Sequence, residues 1–487
     1  MQQKKLVSAV ALMGSMAALT ACNNGDDVNV DLGSGSGGSG GGGGTVSTCP
    51  AWTTPEPQTS DGTNVCAIEN DIEEDRTLTS DIRWLLDGKI EVGDGNSGAL
   101  DNEADAASLT LTIEPGTDIR GGRADSWLII TRGSQINAAG TADNPITFSS
   151  EDDDLQGAGE WGGLVLQGFA QANPGNNVDA EAGLGIYGPT ANDGVSNDDS
   201  SGTVQYVRIA EGGYEVAPGE ELNGFTLFGV GTGTTIDHIQ VHGNQDDGIE
   251  FFGGTAQVSH LVLTDNLDDS IDFDLGWQGN IQYALVKKVS ESDRGIESDN
   301  NGSDFDAMPR TRPTIANLTI VGAAGAGANA LHREGMGGFI HNAVYETGDV
   351  CIDVDDQNNE INNDELIYDD AIINCDANTA GDDDDGSGNE FADLIVNNNG
   401  ANTIYDEDPM LDGTTYQAGS ANATLGSAKN FQTVQTNAAG STCGSGGGES
   451  CATADMTFLD ETGYLGAVDP NASSPFWFEG WTLEGTL

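Results

Sequence analysis

Acidic residues recur at a regular interval in the middle of this chain, and a row of carboxylates can bind a cation or act as general acid and base. The segments DDGIEFFGG, DDSIDFDLG and DRGIESDNN begin at Asp246, Asp268 and Asp293. Their aligned isoleucines are 22 and 25 residues apart, and the same register continues through Leu331 and Ile352. The carboxylates therefore belong to a repeat.

A second apolar register repeats at nearly the same interval, with steps of 22, 23, 34 and 24 residues. It starts at Ile236, Val258, Ile281, Ile315 and Phe339. Both registers lengthen at the same place, so residues 298–313 are predicted to form a loop inserted into one coil. A period in the low twenties, with short β-like runs between turn residues, indicates a parallel β-solenoid, in which each coil buries its apolar face against its neighbours.

Strand alternation predicts which acids face outward, because successive side chains of a strand point to opposite faces. One outward column contains Glu250, Asp272, Glu297 and Asp353, and a second contains Asp274, Asp299, Glu334 and Asp355. Stacked coils lie about 4.8 Å apart, and carboxylates this close raise one another's pKa or require a cation between them. Solvated acids, a calcium site and catalytic carboxylates all remain open. The calcium site is predicted at Glu250, Asp272, Glu297, Asp274, Asp299, Asp353 and Asp355.

A catalytic alternative uses the acids of the turns. Carboxylates on adjacent coils match the separation of about 5 Å found in retaining glycosidases, but a ladder supplies that spacing everywhere. If the protein is an enzyme, Asp268, Asp269 and Arg294 are the candidate catalytic residues. The pair Asp268-Asp269 resembles the acidic pair of pectin-hydrolysing β-helices, but the GHG and R-I-K segments of those enzymes are missing here. We therefore expect no catalytic activity.

Three histidines occupy one position of the second register. His238, His260 and His341 are predicted to lie with Tyr283 and Asn317 at a corner of the coil, where parallel β-helices commonly stack asparagines. A corner ladder that satisfies turn backbone groups is the favoured interpretation. A two-histidine metal site is the alternative, and the sequence offers no third ligand in a recognised spacing.

Two acidic loops offer further oxygen ligands. Residues 353–365 lie between two cysteines, and residues 382–390 place acids at the offsets that open an EF-hand loop. Leu394 stands where the closing bidentate Glu should be. Disordered acidic tips are therefore favoured over a cation loop.

The overall charge excludes some partners. The 487 residues include 16 basic and 79 acidic side chains, which gives a formal net charge of −63. Such a surface repels nucleic acid and anionic lipid, so no nucleic-acid partner is expected. The 70 glycines and the short Val/Ile/Leu runs indicate strands and turns, and helical patterns are nearly absent.

The N-terminus predicts export and a lipid anchor. Lys4 and Lys5 precede an apolar run that is too short to span a bilayer and ends in Leu-Thr-Ala-Cys at Cys22. This ending resembles the lipobox of bacterial lipoproteins, which implies cleavage before Cys22 and lipidation of its thiol. Asn23 replaces the Asp that commonly retains lipoproteins at the inner membrane, so the outer membrane is the expected location.

Six further cysteines occur in neighbouring pairs, as expected of disulfides outside the cytoplasm. Fifteen connectivities are possible for six cysteines, and proximity favours one of them. It joins Cys49 to Cys66, Cys351 to Cys375 and Cys443 to Cys451.

Residues 105–482 resemble β-helical surface lipoproteins of Gram-negative bacteria, which belong to the pectate-lyase-like fold group. The resemblance rests on LTLTIEPGTDIRGG from Leu109, GEWGGLVLQG from Gly159, VQYVRIAEGG from Val204 and a FWFEGWT ending. It implies an all-β, right-handed parallel β-helix. It does not imply an activity, because fold alone does not determine function.

The predicted organisation has five parts. They are a signal peptide (1–21), a Gly/Ser-rich lipidated tether (22–48), an N-terminal cap (49–105), the β-helix (106–430) and a disulfide-containing C-terminal cap (431–487). We expect an outer-membrane-anchored surface module that binds a polysaccharide or cations, and the resemblance implies a TonB-dependent receptor as its partner. A carbohydrate-active hydrolase or lyase and a calcium-bridged coat or adhesion protein are the alternatives.

Overall fold

The computed structural model describes residues 48–152, 154–217, 222–355, 366–380, 403–406, 408–419 and 457–487. Most strands of these residues belong to two sheets of parallel strands, as the prediction of an all-β, right-handed parallel β-helix requires. The first sheet has 16 strands. They are β1 (Thr54–Glu56), β2 (Asn64–Ile68), β3 (Arg76–Leu78), β4 (Ile82–Leu86), β6 (Thr110–Ile113), β7 (Asp118–Gly121), β9 (Gln135–Ala139), β10 (Ile146–Ser150), β14 (Gly202–Ala210), β16 (Thr235–His242), β18 (Gln257–Thr264), β20 (Asn280–Lys287), β22 (Thr314–Val321), β24 (Gly338–Glu346), β26 (Leu366–Asn374) and β28 (Thr403–Asp406).

The second sheet has 10 shorter strands, and each coil passes from a strand of the first sheet to one of the second. The strands are β5 (Lys89–Val92), β8 (Trp127–Ile130), β11 (Gly163–Gln167), β15 (Phe225–Phe228), β17 (Ile249–Phe252), β19 (Ile271–Asp274), β21 (Ile296–Ser298), β23 (Ala330–His332), β25 (Val350–Val354) and β27 (Ala377–Ala380). A small hairpin of β12 (Val178–Asp179) and β13 (Ile186–Tyr187) and two 3-10 helices, Glu103–Asp105 and Glu181–Gly183, complete the elements.

The interior is a continuous apolar column, built from one side chain in two along each strand. Ile249, Ile271 and Ile296 stack in register from coil to coil and are fully buried, as the sequence pattern predicts. Each coil buries these side chains only against its neighbours, so the stack as a whole supplies the hydrophobic stabilisation.

After the inserted loop the predicted register is correct at Ile315 and Ile352 but wrong by one residue at two positions. Ala330, not Leu331, pairs with Ile296, and Ile340, not Phe339, pairs with Ile315. A slip of one residue turns every side chain of a strand to the opposite face. Leu331 therefore points outward, although it is buried.

A sharp corner interrupts the long strands of the first sheet. Each corner residue has a positive φ between 48° and 62°, a conformation in which Asn is favoured among residues with a side chain. His341 is not a corner residue, contrary to the prediction, because Asn342 occupies that position. The corner ladder consists of Tyr206, His238, His260, Tyr283, Asn317, Asn342 and Asp370.

Both predicted caps differ from the structure. Parallel pairing already begins between β2 and β4, inside the segment 49–105 that was predicted to be a cap. The described part of the C-terminal segment, 457–487, lies along the outer face of the first sheet. Trp481 packs there against Tyr206 and His238, so this segment is a strap along the side of the coils.

Two predicted disulfides are present. Cys49 is bonded to Cys66 and Cys351 to Cys375, each with a Cα–Cα distance of 5.5 Å. Cys22, Cys443 and Cys451 lie outside the described residues. Within the described ranges, no helix has the length and apolar character needed to span a bilayer.

Candidate functional site

The outer face of the second sheet changes from apolar to acidic along the coils. Its first strands present Ile129, Val165, Phe228 and Phe252, which the insertion between β11 and β14 covers with an apolar cluster of its own. The next coils present the predicted acids. Glu250 pairs with Asp272 and Asp272 with Glu297, in the first outward column.

The second outward column begins with Asp274 and continues with Asp299. Arg333, not the predicted Glu334, occupies the next position, because the backbone N–H of Arg333 donates to Ser298 in the ladder. Its guanidinium contacts Glu297 and binds Asp299 through two hydrogen bonds, of 2.9 and 3.2 Å. Arg333 therefore places a basic side chain within this acidic face.

Asp353 and Asp355 are separated from the other predicted ligands. In the first column Leu331 lies between Glu297 and Asp353, and in the second Arg333 lies between Asp299 and Asp355. The seven predicted calcium ligands therefore do not form one continuous site.

A compact group of oxygens lies at the amino ends of β17 and β19. One carboxylate oxygen each from Asp247, Glu250 and Asp272 lies within 4.8 Å of the other two. Asp247 and Glu250 are 7% and 8% exposed. In the described part of the chain no Lys or Arg side chain pairs with these three acids. Asp247 is the second residue of the repeat segment that begins at Asp246, and it was not predicted as a ligand.

Some carboxylate oxygens on this face have no hydrogen-bond partner among the described residues. Asn223 donates its side-chain amide to Glu250. The Oδ1 atoms of Asp272 and Asp274 are buried and have no hydrogen-bond partner among the described residues. Buried carboxylate oxygens without donors are costly, so they favour a proton or a cation.

The electrostatics of these acids agree with that geometry. Burial, and then the charges of neighbouring carboxylates, raise the pKa values of Asp247, Glu250 and Asp272 well above the usual range. Burial, and then the negative charge of Asp299, also raises the pKa of Asp274 well above its usual range. The protein holds these groups in a state that resists ionisation unless positive charge is supplied.

The insertion between β11 and β14 contributes Tyr187 and Glu181, which the sequence analysis did not identify. The Tyr187 ring packs on Phe228 at a centroid distance of 5.0 Å. Burial and the charges of Asp274, Glu250 and Glu181 raise the pKa of Tyr187 well above its usual range, which places Glu181 near the acidic face. The insertion lies outside the repeat, so no periodic signal could have identified them.

The predicted catalytic trio lies together at the turn before the second sheet. Asp268 and Asp269 each have an oxygen within 4.8 Å of Asp293. Asp269 is 3% exposed, and its carboxylate accepts the backbone N–H of Arg294 at 2.5 Å. The Arg294 guanidinium pairs with Asp293. The groups are close, but Asp269 and Arg294 already have structural partners.

Asp247 belongs to the same turn ladder. Its carboxylate accepts the backbone N–H of Asp269 at 2.9 Å, one coil further along. Asp247 therefore links the turn to the compact oxygen group of the second sheet.

The corner histidines stack on each other and share an acid. The His238 and His260 rings are 4.2 Å apart and 16° from parallel. Each Nδ1 lies 2.9 Å from a different oxygen of Asp237, a neighbour that the sequence did not predict. Burial opposes ionisation of Asp237, but the close contact of His238 and the hydrogen bond with His260 hold the pKa of Asp237 well below its usual range. The two rings stack as expected of a corner ladder, and Asp237 supplies the third ligand that the sequence lacked for the alternative of a metal site, because one ligand atom each of Asp237, His238 and His260 lies within 4.8 Å of the other two.

Most of the two acidic loops, and all of 382–390, lie outside the described residues.

The sequence matches the model of a family described as pectate-lyase-like beta helix domain over residues 72–482. Comparisons with curated proteins and with solved structures give no match. The matched residues contain nearly all of the coils described above, and the chain belongs to the family of proteins with a pectate-lyase-like β-helix domain.

Proposed function

We propose that this protein is a surface binding module that holds calcium on the acidic face of its second sheet and binds a polysaccharide there. The single observation that supports the proposal most is the convergence of Asp247, Glu250 and Asp272, whose oxygens lie within 4.8 Å of one another and have no basic partner among the described residues. Calcium binds six to eight oxygens in flexible geometry, and carboxylates are its usual ligands.

The test is a set of thermal melts in chelator, in millimolar calcium and in sodium chloride of equal ionic strength. A ligand that binds only the folded state adds RT ln(1 + [L]/Kd), or about 1 to 2 kcal/mol for millimolar calcium and a sub-millimolar site. We expect calcium to raise the melting temperature more than sodium chloride does.

A matched pair of variants locates the site. Asp272→Asn should remove most of the calcium-specific shift, because it removes one ligand charge. Asp143→Asn changes an exposed turn acid and should leave the shift intact. Equal shifts in calcium and in sodium chloride for the unchanged protein would exclude the cation site.

An enzymatic function is the second candidate, because the Glu250 and Asp272 oxygens approach the separation of about 5 Å used by retaining glycosidases. The assay measures reducing ends and unsaturated uronides released from marine and plant polysaccharides. We expect no turnover. Turnover that Asp268→Asn or Asp269→Asn abolishes would establish the hydrolase or lyase instead.

The anchor is also part of the proposal. The lipobox-like ending at Cys22 supports lipidation and delivery to the outer membrane, where a TonB-dependent receptor is the candidate partner. Cys22→Ala should move the protein from the detergent phase to the aqueous phase in a phase-partition assay. A variant that stays with the detergent would contradict the lipid anchor.

A further inference from the structure

Arg333 contacts the acidic face in the manner of a bound ion. Its Nη2 atom contacts Glu297 and lies 3.2 Å from Asp299, while its Nε atom lies 2.9 Å from the other oxygen of Asp299. Glu297 lies in β21 and Asp299 directly follows it, while Arg333 directly follows β23, the neighbouring strand of the second sheet. The guanidinium therefore gathers two carboxylates around one positive centre.

The register of β23 determines that the Arg333 guanidinium lies beside Glu297 and Asp299. The inward side chain of His332 has its Nδ1 atom 2.6 Å from the Ser298 hydroxyl inside the core. If β23 slipped by one residue, Glu334 would stand where Arg333 stands, and the second column would be acidic throughout. The actual register thus supplies a basic group to a column whose other described members, Asp274, Asp299 and Asp355, are acidic.

We propose that Arg333 is a built-in counter-ion, which occupies the place of a second cation and confines calcium to the group of Asp247, Glu250 and Asp272. This inference deepens the proposed function and rests on it for the identity of the cation. Arg333 permanently offsets one of the two negative charges of Glu297 and Asp299 because a guanidinium stays protonated, whereas calcium binding depends on the free ion concentration. The acidic face is divided into a half that carries its own cation and a half that must acquire one.

Removing Arg333 should create a cation site. Glu297 and Asp299 already lie directly beside Asp272 and Asp274 of the preceding coil, and they would then lose their basic partner on the following coil. Carboxylates at adjacent coils repel strongly at low effective dielectric, so a divalent ion should replace the lost charge. Glutamine at position 333 keeps much of the aliphatic side chain and carries no charge.

The experiment counts calcium ions by titration calorimetry and equilibrium dialysis with the full chain. Arg333→Gln should bind one more calcium ion per chain than the unchanged protein. Arg333→Lys, which keeps the charge, should bind the same number as the unchanged protein. Arg310→Gln removes an arginine paired to exposed Asp306 and is the matched control, with an unchanged count.

The outcomes separate this inference from the proposed function. An extra ion in Arg333→Gln when the unchanged protein binds none would contradict the proposed function and support the counter-ion role. An unchanged count in Arg333→Gln overturns the counter-ion role. Failure of Arg333→Gln to fold in calcium as well as in chelator also overturns it, because a replacing cation should restore the fold.

Discussion

The Ser298 hydroxyl oxygen lies 2.6 Å from Nδ1 of His332 in the interior of the coils, where both residues are fully buried. Ser298 donates to the carbonyl of Leu331, so the neutral imidazole donates from Nδ1 and accepts at Nε2 from the Tyr368 hydroxyl at 2.5 Å. Burial lowers the pKa of His332 to about 3, which keeps the ring neutral. A polar chain thus connects the two sheets through an apolar core.

We predict that His332→Leu destabilises the protein by about 1 to 3 kcal/mol, because it leaves the buried Ser298 and Tyr368 hydroxyls without one partner each. Urea unfolding of the single variant, of Ser298→Ala and of the double variant measures the loss. The double variant should lose less than the sum of the single losses. Strict additivity would show that Ser298 and His332 do not interact energetically.

Core and face positions of one strand should respond in opposite ways. Ile271→Ala should cost about 2 to 5 kcal/mol, because it leaves a cavity in the stacked core. Asp272→Asn should stabilise slightly in chelator, because it relieves repulsion from its outward neighbours Glu250 and Glu297. Denaturant unfolding measures both. A larger loss at Asp272 than at Ile271 would contradict the inward and outward assignment.

The acidic face predicts a pH dependence in chelator. The pKa values of Glu250, Asp272 and Asp274 are raised in the folded state, so the folded protein binds more protons than the unfolded chain above about pH 4. Stability therefore falls as pH rises from about 4 through the folded pKa values. Melts across this range should show a declining melting temperature.

Two controls test why the melting temperature declines as the pH rises. Asp272→Asn removes one titrating group and should make the decline shallower. Calcium should raise the melting temperature more at pH 8 than at pH 5, because protons compete with it for the same oxygens. A melting temperature in chelator that rises from pH 4 to neutral pH would contradict the predicted direction.

The C-terminal strap should detach locally when its anchor is removed. Trp481 is 1% exposed, and its indole packs edge-on against Tyr206 and His238 with centroid distances of 5.8 and 5.5 Å. Trp481→Ala should cost about 3 to 5 kcal/mol of packing. Limited proteolysis should then cleave within residues 457–487 while the coils stay intact, because local segments can open below the global unfolding energy.

Glu484→Gln is a control for that experiment, since it changes an exposed acid of the same strap. Its cleavage pattern should match that of the unchanged protein. If Trp481→Ala is as resistant as the control, the strap does not depend on this tryptophan.

The periodic sequence determined the solenoid and its inward isoleucines, and the proximity of the cysteines in the chain predicted two disulfides. Stacked coils repeat the same environment, so residues such as Ile249 and Ile271 recur at a fixed interval that can be recognised without coordinates. The same periodicity predicted that Glu250, Asp272 and Glu297 share a column.

The tertiary structure decided everything that depends on register and on segments outside the repeat. After the inserted loop, Leu331 and Ala330 both satisfy an apolar pattern, and only the pairing of β23 with β21 shows that Arg333 faces Glu297 and Asp299. The insertion that contains Glu181 and the C-terminal strap that lies on the first sheet are not part of the repeat. Their positions depend on packing between residues that are far apart in the chain, which local sequence does not encode.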